Sequence, residues 1–344
     1  MSVNVAINGF GRIGRMVFRN LHSRTDAYVV AINANYPVET LVHLIKYDTL
    51  HGRFPGEVAV VNDYTLSVDG HHVQIVNQRD PNQLPWDVLK VDIVIEATGK
   101  FKTRETAGYH LEAGAAKVII TAPGKDEDAT IVMGANEDIY VPDRHHIISN
   151  ASCTTNCLAP VAKILDEQFG IEAGMMTTVH SYTNDQNNID NPHKDLRRAR
   201  ACGQSIIPTT TGAAKAVAKV LPQLDGKLSG MALRVPTPNV SLVDLVVDLN
   251  TETTVEQINE CFRTAANGRY QGIVDYSDEP LVSSDYQTNA FSAVIDGLST
   301  TVMAGNKVKI IAWYDNEWGY SCRIVDLIML LSARLATGNN TQVS

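Results

Sequence analysis

The residues with most chemical promise stand in Ser149-Asn150-Ala151-Ser152-Cys153-Thr154-Thr155-Asn156-Cys157, after a strand-like run and at the start of a helix-like one. Small and polar neighbours crowd the Cys153 thiol. A helix N-terminus there favours thiolate, and its free amides can donate to an oxyanion when sulfur attacks a carbonyl. The competing reading is a small buried apolar residue, and Cys157, Cys202, Cys261 and Cys322 are assigned to it. Cys153 and Cys157 stand four apart, but no second Cys or His pair follows at finger-like spacing, so no metal is expected. A nucleophilic thiol needs a base. His180 ends the strand-like Met175-Met176-Thr177-Thr178-Val179, from which it can project into a cleft and accept a proton.

A second constellation lies at the N-terminus. Asn8-Gly9-Phe10-Gly11-Arg12-Ile13-Gly14 follows the apolar run Val3–Ile7 and opens a helix-like segment, the context in which G-x-G-x-x-G binds a dinucleotide. Gly9 permits the tight turn, Gly11 lets backbone approach a pyrophosphate, and Gly14 lets helix and strand pack closely. The helix N-terminus offers amides and partial positive charge to the phosphates. An acid about 20 residues on usually holds the adenosine ribose. Here the second strand ends in Asn33-Ala34-Asn35, with no acid. Its absence removes the repulsion a 2′-phosphate would meet, so NADP is expected, with NAD left open. Asn33 can bond a ribose hydroxyl, and Asn35 or Arg79 a phosphate.

These groups must be carried by elements. Val3–Ile7, Tyr28–Asn33, Ile93–Ala97, Lys117–Thr121 and Ile131–Met133 read as buried strands, and Ile13–Ser23 and Glu105–Ala115 as helices. The alternation implies a parallel sheet covered by helices. Thr65–Val76 alternates around Asp69-Gly70, a hairpin signature. Beyond residue 151 a helix near Cys153–Phe169, a strand at Met175–Thr183, a long polar loop through residue 205, strands at Leu228–Val235, Val240–Asp248 and Val308–Trp313, a helix at Val255–Ala266 and a last helix near Arg323–Leu335 are expected. The fold class is therefore α/β: an N-terminal Rossmann dinucleotide-binding domain plus an α+β catalytic domain with a mostly antiparallel or mixed sheet. A length of 344 residues supports two domains. The division is 1–152, completed by a helix at 317–336, then 153–316, with a mobile tail at 337–344.

A hydrophobic fraction of 44% with 19% charged residues excludes a disordered or fibrous chain. The net charge of −9 argues against nucleic acid or an anionic membrane as partner. Five dispersed cysteines and an N-terminus that reads as a strand suit a reducing, cytoplasmic location. An anionic substrate would need a local basic pocket, for which His193–Arg200 is a candidate; a solvated basic face is the alternative.

At this point the chain resembles the phosphorylating glyceraldehyde-3-phosphate dehydrogenases over roughly residues 3–335. The resemblance rests on Ile7–Arg15, Ala97-Thr98-Gly99, Ser149–Cys157, His193–Arg200, Ile206–Lys215 and Trp313–Tyr320. It implies Cys153 as the acylated thiol and His180 as its base. It implies Thr183, Arg234 and Arg198 for the substrate phosphate, and Ser152, Thr154, Thr211 and Gly212 for attacking inorganic phosphate. Asn316 is implied to orient the nicotinamide carboxamide, and Asn8, Arg12, Ile13, Thr98 and Gly99 to line the cofactor site. A homotetramer is implied, with the loop Tyr182–Gln204 near a neighbouring subunit's cofactor.

NAD-preferring members usually carry an acid where Ala34 stands, and a leucine where Asn191 precedes Pro192. The chain particularly resembles the bacterial, NADP-using gluconeogenic branch. Its Cys322 stands where asparagine is common. An erythrose-4-phosphate dehydrogenase is the nearest rival, and Thr183 favours the triose substrate. A catalytically silent nucleotide sensor and a Cys/His hydrolase are the remaining alternatives.

Overall fold

The computed structural model describes residues 2–338. The described residues divide into two compact units: one comprises 2–131, Asp138–Ala151 and 321–338; the other Val132–Glu137 and Ser152–Tyr320.

The first unit contains β1 (Val3–Asn8), α1 (Arg12–Leu21), β2 (Ala27–Asn33), α2 (Val38–Lys46), the short pair β3 (Tyr47–Asp48) and β4 (Gly52–Arg53), β5 (Val58–Asn62), β6 (Thr65–Val68), β7 (His71–Val76), β8 (Ile93–Glu96), α3 (Arg104–Glu112), β9 (Lys117–Ile120), β10 (Ala129–Thr130) and β11 (Ile147–Ser149). Nine strands form one sheet in the order β10-β11-β9-β8-β1-β2-β7-β6-β5. The strands from β10 to β7 run parallel, and β6 and β5 extend the sheet antiparallel. Because β1 pairs with β2 on one side and β8 on the other, the crevice beyond its carboxyl end is the topological switch point, where an open α/β sheet binds ligands.

Local chemistry accounts for these elements. Asp69 (φ 47°) and Gly70 (φ 83°) make the two-residue turn between β6 and β7, since a hairpin turn of the primed type needs positive φ at both positions. The capping box of Thr103 and Thr106 starts α3. The strand expected at 131–133 is not formed; the ladder is the shorter β10, two residues earlier. Ile131 is fully buried, and an apolar run reports burial whether or not it pairs. Helix α2 was not anticipated.

The second unit contains α4 (Cys153–Phe169), β12 (Ile171–Ser181), β13 (Ile207–Thr210), α5 (Ala213–Val220), β14 (Leu228–Val235), β15 (Ser241–Leu249), α6 (Val255–Asn267), β16 (Val274–Ser277), β17 (Ala293–Asp296), β18 (Thr301–Met303) and β19 (Lys307–Tyr314). Its mixed sheet runs β13-β14-β12-β15-β19-β17-β16, with β18 beside β19. Along β15 burial alternates strictly: Ser241, Val243, Leu245, Val247 and Leu249 are buried and the residues between are half-exposed. That period-two pattern belongs to a strand with one covered face, and α4 packs on this sheet.

Pro160 stands inside α4 rather than in the first turn that suits its missing N–H. Both α5 and β13 lie in the stretch expected to be irregular or left unassigned. Helix α7 runs Trp318–Gly338, longer at both ends than the apolar pattern at 323–335 and within two residues of the expected 317–336. The mobile tail expected at 337–344 is helical at 337 and 338, and its remainder, 339–344, lies outside the described residues.

Candidate active site and dinucleotide cradle

Ala151 takes φ 55° immediately before α4, a left-handed conformation costly for a residue with a Cβ and frequent at functional sites. Ser152 then caps the helix, its side chain accepting from Thr155 N at 3.1 Å, and Cys153 becomes the first helical residue. From the end of β12, His180 places Nε2 3.5 Å from Cys153 Sγ. Arg234 sits directly beside His180 in the parallel β12–β14 register.

His180 Nδ1 lies 2.7 Å from Ser181 O and 2.7 Å from Arg234 Nη1, which itself lies 2.9 Å from Ser181 O. An arginine only donates, so Nδ1 cannot serve both neighbours with one tautomer. With the proton on Nδ1, both groups donate to the two lone pairs of the Ser181 carbonyl. The Nε2 lone pair then faces the thiol, as a base requires.

Burial, with the Arg234 charge as the second cause, lowers His180 to about 3. Burial also pushes the Cys153 thiol up, against Arg234 and the hydrogen bonds at the helix start, which favour thiolate. The helix N-terminus expected to favour thiolate is thus opposed by desolvation, which disfavours the charged form of both groups.

Tyr314 is a site residue the sequence reading passed over. Its hydroxyl bonds Thr154 at 2.8 Å and Thr178 at 2.9 Å, and its ring meets His180 edge-on with centroids 6.0 Å apart. It ties the start of α4 to β12 and holds the imidazole from the side. The only available signal was its place in Trp313–Tyr320. Asn316 Oδ1 accepts from Ser181 Oγ and Ser241 Oγ, each at 2.8 Å, which leaves the Nδ2 donors for another acceptor.

The residues expected to hold phosphates differ in availability. Arg234 Nε is buried without a hydrogen-bond partner among the described residues. A buried donor left unpaired is costly, and one beside a reactive thiol fits an anion. The Thr154 hydroxyl is committed to Tyr314, and Ser152 Oγ to capping. Thr211 Oγ1 accepts from Ala213 N at 3.2 Å, and Gly212 starts α5 without a side-chain cap. Arg198 pairs with Asp185 and donates to Thr209 at 3.0 Å. Arg200 pairs with Asp190 at 2.9 Å. Arg198 and Arg200 of the basic run 193–200 are therefore matched by aspartates within its own loop. No direct hydrogen bond joins Thr183, Thr211 or Gly212 to the Cys153–His180 cluster among the described residues. Thr183 is half-exposed and Asn191 exposed on that loop.

The glycine turn has its own logic. Gly9 takes φ 94°, and a Cβ there would stand 2.7 Å from Thr98 N; one at Gly14 would stand 2.3 Å from Gly9 O. Both are required by the packing of the turn itself. Gly11 is different: a Cβ would meet nothing within 4 Å. It is the N-cap of α1, with no side-chain cap and no acid in the first turn, so no side chain of the cap or first-turn acid competes for the helix start. This fits a pyrophosphate.

Two expected ligand residues are already occupied. Asn33 Nδ2 donates to Asn8 Oδ1 at 2.6 Å and Gln78 O at 2.7 Å, and its Oδ1 accepts from Gln78 N at 2.9 Å. Only one lone pair remains for a ribose. Arg12 forks onto Asp48. Burial would raise that carboxyl, but the guanidinium and the amides of His51 and Leu50 hold it at about 2. Ala34 is buried, and Arg79 is exposed. Cys322 Sγ lies 3.3 Å from Asn20 Oδ1. No cluster of metal-ligating side chains occurs among the described residues.

Comparison with known proteins adds an independent finding. Residues 3–104 match the family description "Glyceraldehyde 3-phosphate dehydrogenase, NAD binding domain", and residues 152–316 match "Glyceraldehyde 3-phosphate dehydrogenase, C-terminal domain". The chain is 68% identical over 335 residues to glyceraldehyde-3-phosphate dehydrogenase 2 of Bacillus subtilis, covering 97% of this chain and 98% of that protein. It is 60% identical over 334 residues to glyceraldehyde-3-phosphate dehydrogenase of Geobacillus stearothermophilus, covering 97% and 99%. It is 55% identical over 345 residues to glyceraldehyde-3-phosphate dehydrogenase 2 of Staphylococcus aureus, covering the whole of both.

Proposed function

The chain belongs to the glyceraldehyde 3-phosphate dehydrogenase family, and we propose that within it this protein is an NADP-preferring enzyme working mainly in the reductive, gluconeogenic direction. The phosphorylating activity and the use of a nicotinamide dinucleotide come with the family; the finer choices are our reading. Cys153 Sγ attacks the aldehyde carbon as its proton passes through His180 Nε2 to the carbonyl oxygen, giving a hemithioacetal and leaving Nε2 free again. The bound nicotinamide supplies the hydride acceptor. His180 takes the hydroxyl proton as the hemithioacetal is oxidised to a thioester, and inorganic phosphate then displaces the thiol as an acyl phosphate. In the reductive direction the same groups act in reverse.

The observation that carries this reading is the 3.5 Å approach of Cys153 Sγ to His180 Nε2 beside an arginine whose Nε has no partner among the described residues. Arg234 is assigned to the substrate phosphate with Thr183 and Arg198. The attacking phosphate is assigned to the α5 start at Thr211 and Gly212 and the α4 start at Ser152 and Thr154, through amides where hydroxyls are committed. Asn316 Nδ2 is assigned to the carboxamide. The adenosine end is assigned to Asn8, Gly9, Gly11, Ile13, Gly14, Asn33, Ala34, Arg79, Thr98 and Gly99, with Asn191 near the cofactor loop; Arg12 shapes that site through Asp48. NADP preference is supported by buried Ala34 in place of an acid and by exposed Arg79. A cytoplasmic homotetramer completes the proposal. No helix among the described residues is long and apolar enough to cross a membrane.

The test is kcat/KM for NADP and NAD in both directions, on the wild type and Ala34→Asp. NADP is expected to be preferred, and Ala34→Asp to move preference toward NAD by at least about tenfold. A wild-type preference for NAD would overturn the cofactor reading while leaving the family chemistry intact.

A further inference from the structure

Beneath the glycine turn lies a buried polar chain that joins Asn8 and Thr98 to Glu96, His110 and Trp86, for which no role has been assigned. Glu96, at the end of β8, is 1% exposed, His110 on α3 and Trp86 are fully buried, and Asn8 is 1% exposed. Trp86 Nε1 stands 3.1 Å from His110 Nδ1, and His110 Nε2 stands 3.1 Å from Glu96 Oε2. Asn8 Nδ2 donates to the same Oε2 at 2.6 Å. Thr98 gives its backbone N–H to Glu96 Oε1 at 2.9 Å, and its hydroxyl to the same oxygen.

The polarity of this chain is determined at both ends. An indole N–H only donates, so His110 Nδ1 must accept, and the ring proton must sit on Nε2 and point at Glu96. At the other end the Gln78 backbone N–H and C=O fix which way the Asn33 amide faces, and Asn33 Nδ2 fixes Asn8 Oδ1 as acceptor. Asn8 therefore presents Nδ2 to Glu96. The 3.3 Å approach of Asn8 Nδ2 to His110 Nε2 is two donors sharing one carboxylate oxygen. Every partner of Glu96 donates, as an acceptor-only carboxylate requires, and among the described residues no Lys or Arg pairs with it.

The geometry points to Glu96 and His110 as positioning residues for the dinucleotide. They lock the glycine turn through Asn8, the tip of β2 through Asn33, and the Thr98–Gly99 turn into one register. Those three segments are the assigned cofactor lining, so the inference rests on the cofactor reading and deepens it. A glycine turn offers few side chains to hold it. The Thr98 amide that Glu96 grips is also the group a Cβ at Gly9 would strike, so one carboxylate sets both walls of the turn. A neutral amide at position 96 cannot accept everywhere. Its NH2 would face either the Asn8 and His110 donors or the Thr98 N–H.

The experiment compares full-length wild type, Glu96→Gln, His110→Leu and His110→Gln for NAD and NADP binding by calorimetry, with KM and kcat measured separately. Glu96→Gln and His110→Leu are expected to raise Kd and cofactor KM by about tenfold for both dinucleotides. Their kcat should move less than about threefold, and Cys153 alkylation without cofactor should be unchanged. His110→Gln, which keeps an N–H for Glu96 and an acceptor for Trp86, should recover most of the affinity. Nitrogen NMR of the wild-type His110 ring should show the proton on Nε2, a readout that needs no variant to fold. A proton on Nδ1, or equal Kd in wild type and Glu96→Gln, overturns the proposal. Wild type that binds neither dinucleotide overturns the cofactor reading instead.

Discussion

Arg234 and His180 show two effects of one charge. Burial favours the neutral imidazole, which can accept a proton, but it also pushes the thiol up, away from thiolate. Arg234 is the counterweight that favours thiolate, so Arg234→Met should slow alkylation of Cys153 by iodoacetamide near neutral pH, by about tenfold. An unchanged rate would move the source of thiol activation to the helix amides. His180 also makes a pH prediction. Its folded value near 3 lies below the roughly 6.5 of an unfolded chain. Between those limits the unfolded state binds a proton that the native state refuses. Its contribution to stability is therefore complete above about pH 6.5 and is lost as pH falls towards 3. His180→Asn should flatten that part of the Tm–pH curve; an unchanged slope would mean the folded imidazole is already protonated there.

At the scale of elements, the first strand, turn and helix were legible because each glycine has a separate physical cause, and the structure separates those causes further. Gly9 and Gly14 are glycine because a Cβ would strike backbone; Gly11 faces open space. Gly9→Ala should lower Tm markedly, whereas Gly11→Ala should leave Tm within a degree or two and raise the dinucleotide Kd by at least about tenfold. Equal thermal loss in both variants would show that Gly11 also serves the fold. Helix α4 was legible from residue 153 to 169 because Ser152 is a capping residue and an apolar pattern follows, with Pro160 tolerated inside. The strand expected at 131–133, and the unforeseen α2 and β13, mark the limit. Short apolar runs report burial, and whether they join a ladder depends on neighbours far along the chain.

At the scale of the molecule, the proposed homotetramer has a direct check. The mass in solution should be about four times the 37.6 kDa of the chain, by light scattering with chromatography at micromolar concentration; a stable monomer with full activity would remove the loop Tyr182–Gln204 from any shared site. Exposed Ile189, Leu196 and Ile206, at 80%, 82% and 68%, are the apolar residues on or beside that loop which such an assembly would cover.

The sequence by itself determined the chemistry. A thiol at a helix start, a histidine at a strand end and glycines between strand and helix are local patterns, written in neighbouring residues. The tertiary structure decided which groups are free to act. It committed Asn33 to Asn8, Arg12 to Asp48 and Thr154 to Tyr314, left Arg234 Nε without a partner among the described residues, and assembled Trp86, His110, Glu96 and Asn8 from four separate segments. Hydrogen-bond satisfaction and desolvation depend on what lies across space, so no reading along the chain could have assigned them.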